Sequence, residues 1–102
     1  MTAMLLTNIN LDDVKLLDQL RLKRLRSFFA QSLLHCAIRR DRDQTLIVHC
    51  LEASIIDAVL SDLEELCDYA WLILGVEAIA LYFAQEEICR TKIFAVHQKS
   101  IG

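Results

Sequence analysis

The sequence predicts a small two-layer α+β domain, and three observations carry that prediction. Apolar residues recur at helical spacing over residues 11–31 and again over 54–74. The residues from Thr45 to Leu51, held between those segments, are too few for a comfortable helix and include β-branched Thr45, Ile47 and Val48. Gly75 then supplies a natural helix stop, and Glu77 to Ala84 alternates weakly, as a strand does. The expected order is α-β-β-α-β. The second helix crosses over between two parallel strands, and both helices cover one face of a mixed sheet. An all-α bundle, with residues 11–40 as one continuous helix, is the alternative.

In the first segment Asn10 is positioned to cap, and Asp12 and Asp13 suit the positive end of the helix dipole. Val14, Leu17, Leu20 or Arg21, Leu25 and Phe28 form the expected buried stripe, widened by Leu16 and Phe29. Leu33 to Arg40 is expected to pair with Thr45 to Leu51 across the polar turn Asp41-Arg42-Asp43. In the second helix Ser54 followed by Asp57 resembles a capping box. Its outer face carries Asp57, Glu64, Glu65 and Asp68 and no Lys or Arg. The tail from Glu86 onward extends the sheet edge, makes a helical turn or frays; the pattern does not choose.

A chain of 102 residues is one domain, large enough to bury a core without disulfides or metal. Residues 1–10 and 95–102 are expected to be flexible ends. The formal charge is −3, with an excess of Lys and Arg in residues 1–51 and of Asp and Glu in 52–102. Such a dipolar chain can pair its own halves or a second copy of itself. The most apolar run, Tyr69 to Ala84, is interrupted by Glu77 and is shorter than the ~20 residues of a membrane span. The beginning of the chain lacks a basic n-region. A cytoplasmic protein without membrane contact is the expectation.

The dipeptide His-Cys occurs at His35-Cys36 and again at His49-Cys50. If both lie on strands, even positions share one face and odd positions the other. Cys36 and Cys50 then point to the core while His35 and His49 point away. A four-ligand zinc site needs all four groups at one point, so the hairpin argues against metal. The thiols read as core residues, and a disulfide is disfavoured in a reducing compartment. The odd face, with Leu33, His35, Ala37, Ile47, His49 and Leu51, is expected to lie open as an apolar patch with polar groups around it, a protein-contact surface.

No G-x-S-x-G, P-loop, H-E-x-x-H or Rossmann glycine pattern occurs, and no catalytic residue, metal ligand or cofactor is assigned. The strongest polar cluster is Arg21, Lys23, Arg24 and Arg26, joined by Arg39, Arg40 and Arg42. It suits an acidic protein partner, including the acidic helix of a second copy. Nucleic acid is disfavoured as its partner, because the whole chain is acidic. The functional expectation is a non-enzymatic protein–protein interaction or regulatory module that self-associates, as a dimer. The alternative is a small nucleic-acid-binding regulator using the basic residues between 21 and 42. A third reading is an enzyme subunit whose site forms only between chains.

Overall fold

A computed structural model describes residues 11–93. The expected flexible ends and the Asn10 cap lie outside the described residues. Helix α1 (Leu11–Phe28) leads into a hairpin of β1 (Cys36–Arg40) and β2 (Thr45–Cys50). Helices α2 (Ala53–Ser61) and α3 (Leu63–Leu74) follow, then β3 (Ala78–Phe83) and β4 (Glu86–Lys92). The strands make one sheet in the order β1-β2-β3-β4. The outer pairs are antiparallel and the central β2–β3 pair is parallel, as a helical crossover requires. The α+β class holds, and the continuous helix through residue 40 does not form.

The hairpin register pairs even with even: Cys36 with Cys50, Ile38 with Val48, Arg40 with Leu46. These positions continue across β3 through Ile79 and Leu81. Together they make the sheet side of the core, against Leu25 of α1, Phe29 just past its end, Val59 of α2, and Leu66, Cys67 and Ala70 of α3. One hydrophobic core between a sheet and helices on one face follows directly from the period-2 strands meeting period-3.6 helices.

Several boundaries differ from the sequence reading for identifiable reasons. Helix α1 stops at Phe28 rather than 31, and residues 29–35 form successive turns before a first strand shorter than expected. Arg26 holds those turns, its Nη1 donating to the Leu33 carbonyl at 2.5 Å and the Cys36 carbonyl at 3.0 Å. The single helix expected over 54–74 is two, divided at Asp62. The Ser32 hydroxyl donates to the Asp62 carboxylate at that break, tying it to the turn after α1. Ser54 is inside α2 and not its cap; Glu52 takes that position without a side-chain bond. Gly75 ends α3 in the left-handed conformation, φ 69°, as its residue type suggests.

The undecided tail is strand β4. It pairs with β3 through a two-residue turn of Ala84 and Gln85, with φ 51° and 69°. Both central residues at positive φ define the hairpin turn that Asn-Gly ordinarily marks. Ala-Gln carries no such mark, so the hairpin could not be read from the residues alone.

Candidate functional site

The expected interaction residues are scattered by the fold. Leu33 is 0% exposed and sits in the core, so its placement on an open face is corrected. The turns after α1 carry it inward before the strand begins. Ile47 does lie on the odd face but is only 3% exposed. In its row the register runs Arg39–Ile47–Ala80–Arg90, so the central positions are small or aliphatic and the edge positions are arginines. The expected open apolar patch is therefore absent from the central strands. His35 and Leu51 are exposed, just outside the paired strands, and His49 is half-buried.

The adjacent row is polar and internally bonded. His49 packs its edge on Tyr82, with ring centroids 5.4 Å apart. The Tyr82 hydroxyl donates to Glu87 Oε1 at 3.1 Å, and Arg90 donates to the same oxygen through Nη2 at 2.7 Å. The Arg90 guanidinium, then the tyrosine hydroxyl, hold the Glu87 carboxyl below the usual carboxylate range. Such a closed set of partners makes a finished surface rather than a reactive one. Beside it, Asp43, Thr45, Trp71, Glu77, Arg90 and Lys92 line a cleft of about 460 Å³. Its charges are of both signs, and Arg90 also approaches Asp43 at 4.0 Å.

The basic cluster divides. Arg26 is half-buried and bonded to backbone carbonyls, and Arg40 pairs with Asp18 at 3.1 Å, joining β1 to α1. Both are structural. Arg39 lies 4.0 Å from Asp41. Arg21, Lys23 and Arg24 are exposed along α1.

The exposed cations stand beside a feature that the sequence pattern hid. On α1 the side packed on the core is Leu25 with partly buried Leu22, continued by Phe29 just past the helix end, whereas Val14, Leu16, Leu17, Leu20 and Phe28 are exposed. Of the expected buried stripe only Leu25 is buried on the helix; Leu17, Leu20 and Phe28 face outward, and Val14, on the same helical face as Leu25, is exposed near the start of the helix. Leu20 is 54% exposed and Leu17 47%. Two apolar stripes on one helix leave periodicity without a unique answer, and the missing signal was Leu22, which selects the buried side.

Helix α3 lies alongside. Phe28 stacks on Tyr69 with centroids 4.8 Å apart, and Phe29 meets the same ring edge-on at 5.5 Å. Arg21, Arg24 and Phe28 then line a groove of about 400 Å³ with Tyr69, Leu72 and Ile73. Numbers fall on α1 as they rise on α3, so the two helices run antiparallel. Residues 12–20 of α1 project past the end of α3 at Leu74, and nearly all are exposed. Leu72, 74% exposed, extends the apolar strip across the groove.

No family model, characterised protein or solved structure matches the chain. The function therefore has to be read from the surface itself. Among the described residues, no group of three or more His, Cys, Asp or Glu is arranged to hold a metal ion. Among the same residues, no helix is long and apolar enough to cross a membrane.

Proposed function

We propose that this protein is a non-enzymatic interaction module that self-associates, with the outer face of α1 and the α1–α3 groove as its contact surface. The observation that carries this reading is the row of large aliphatic side chains, Val14, Leu16, Leu17 and Leu20, left in water on a helix that projects beyond its neighbour. Burying a Leu that is already half covered is worth about 1 kcal/mol, so burying several of them together is a substantial drive to associate. Contiguous exposed apolar surface edged by charge is the ordinary mark of a protein contact.

Charge complementarity favours a second copy as the occupant. Arg21, Lys23 and Arg24 border the apolar row on α1, while α2 and α3 expose Asp57, Glu64 and Glu65 and contain no Lys or Arg. A two-fold arrangement lets the projecting half of each α1 lie on the partner's α3, its apolar side chains toward Tyr69 and Leu72, with Arg21, Lys23 and Arg24 at the base of that half beside the partner's acidic side. The same two patches are then used twice, as an isologous interface demands. The basic residues give the nucleic-acid reading less support than the sequence alone, because Arg26 and Arg40 have bonds inside the domain.

Sedimentation equilibrium from about 1 μM to about 1 mM, the range matching about 8 to about 4 kcal/mol of association, tests the reading. The average mass is expected to rise with concentration toward twice the 11.7 kDa of one chain, and to rise less in high salt. A single 11.7 kDa species at every concentration contradicts it.

A further inference from the structure

The register of the first hairpin points to a second property: we infer that Cys36 and Cys50 are a dithiol pair that closes a disulfide across β1 and β2. Cys36 and Cys50 are direct register partners. Around them, Leu51 N donates to the His35 carbonyl and Asp41 N to the Thr45 carbonyl. Those bonds fix the odd-numbered pairs as the hydrogen-bonded ones, so Cys36–Cys50 is a non-hydrogen-bonded pair. In that class facing Cα atoms stand about 4.5 Å apart and the side chains approach closely. The separation falls inside the 4.4–6.8 Å window that a disulfide spans without backbone movement. Both side chains also point to the same face, the one covered by the helices.

The surroundings determine how the pair behaves. Burial, and then the neighbouring Cys50 thiol, push the Cys36 thiol up to about 12. Burial raises Cys50 too, but hydrogen bonding from Cys36 opposes that rise. Burial disfavours both thiolates, and either thiol can attack first; in one of the two equivalent orders Cys50 attacks and Cys36 resolves. With a small disulfide of the glutathione class as oxidant, Cys50 thiolate attacks one of its sulfurs. A mixed disulfide forms and one small thiolate leaves, taking up the proton Cys50 lost. Cys36 then gives up its proton, attacks the Cys50 sulfur, and expels the second small thiol, which takes that proton. The protein loses two hydrogens and two electrons; the small disulfide becomes two thiols. Because neither protein thiol ionises readily at neutral pH, closure is slow there and accelerates as pH rises.

The remaining thiols serve as internal controls. Cys67 is buried on α3 and Cys89 is half-buried on β4, and neither is a register partner of another cysteine. The test incubates the native protein in glutathione buffers of increasing oxidation, blocks free thiols, and digests with trypsin and a glutamate-specific protease without reduction. Arg39, Arg40 and Arg42 lie between the two cysteines, so cleavage separates the strands unless a disulfide joins them, while cleavage after Glu52, Glu65, Glu77 and Glu87 puts Cys50, Cys67 and Cys89 in separate peptides. The expected result is a linked peptide pair carrying Cys36 and Cys50, with Cys67 and Cys89 blocked as free thiols. The link is lost in Cys36→Ser and in Cys50→Ser, and its rate of formation increases with pH up to pH 9 and beyond. Four blocked thiols in the most oxidising buffer, or a link that includes Cys67 or Cys89, overturns the inference. The wild-type peptide map decides the matter even where a serine variant folds poorly.

Discussion

Replacing Leu17 and Leu20 together with Asp is expected to weaken self-association at least about 100-fold while leaving the fold in place, because it puts unpaired charge where the proposed contact must be dry. Each carboxylate, desolvated without a partner, costs several kcal/mol in the associated state. The folded monomer tolerates the change, since both leucines are about half exposed and absent from the core. The remaining monomer cost is helix propensity, about 0.5 kcal/mol per Asp in a helix interior. The two effects separate cleanly in measurement. Sedimentation equilibrium reports the loss of the heavier species, and thermal unfolding at low concentration reports a midpoint lowered by roughly 4–8 °C, the equivalent of about 1 kcal/mol. Unchanged association by the double variant contradicts the assignment of α1 as the contact surface.

The second large effect is expected at Leu33. Its side chain is fully buried in the turn between α1 and β1, within the cluster that joins helices and sheet. Leu33→Ala removes buried methyl groups and leaves a cavity, so the cost is about 2–5 kcal/mol of stability. In a domain of this size each 1 kcal/mol shifts the unfolding midpoint by roughly 4–8 °C, so the expected drop is about 8 °C or more. On an open sheet face the same substitution changes stability by only about 0.5 kcal/mol. Urea or thermal unfolding of Leu33→Ala thus separates the two placements directly. The backbone around it adds to the argument, because Leu33 N donates to the Phe29 carbonyl and its own carbonyl accepts from Arg26. The turn is built around the buried side chain and not merely passing it.

Much of the architecture was legible in the residues because local and long-range preferences agree there. The β-branched run at Thr45 to Val48 and the stop at Gly75 locate β2 and the end of α3 within a residue or so. Even alternation on both sides of Asp41-Arg42-Asp43 leads to the observed Cys36–Cys50 register. Strand β4 was not legible, because its turn places Ala84 and Gln85 at positive φ without the usual Asn or Gly. The division at Asp62 was not legible either. Its partner is Ser32, distant in sequence, and no local pattern contains that bond.

The candidate surface was legible in kind but not in place. The imbalance of charge between the two halves of the chain marks the basic α1 and the acidic α2–α3. The sheet face was the expected contact because odd positions alternate away from the core, which is correct for Ile47 and His49. Alternation says which face a position takes and nothing about how far that position is covered, and Ile47 is nearly inaccessible. On α1 the reverse occurs. The helix carries more leucine than one buried stripe needs, and the surplus at Leu16, Leu17 and Leu20 is exposed and stands outside the core cluster.

Amide hydrogen exchange at high and low protein concentration tests the central claim most directly, since it locates the contact without substitution. Association through α1 predicts slower exchange at high concentration in residues 12–24 and around Tyr69 to Leu72, with the sheet unchanged. Concentration-dependent protection confined to the outer sheet face, at residues 37–39, 47–49 and 80–90, contradicts it.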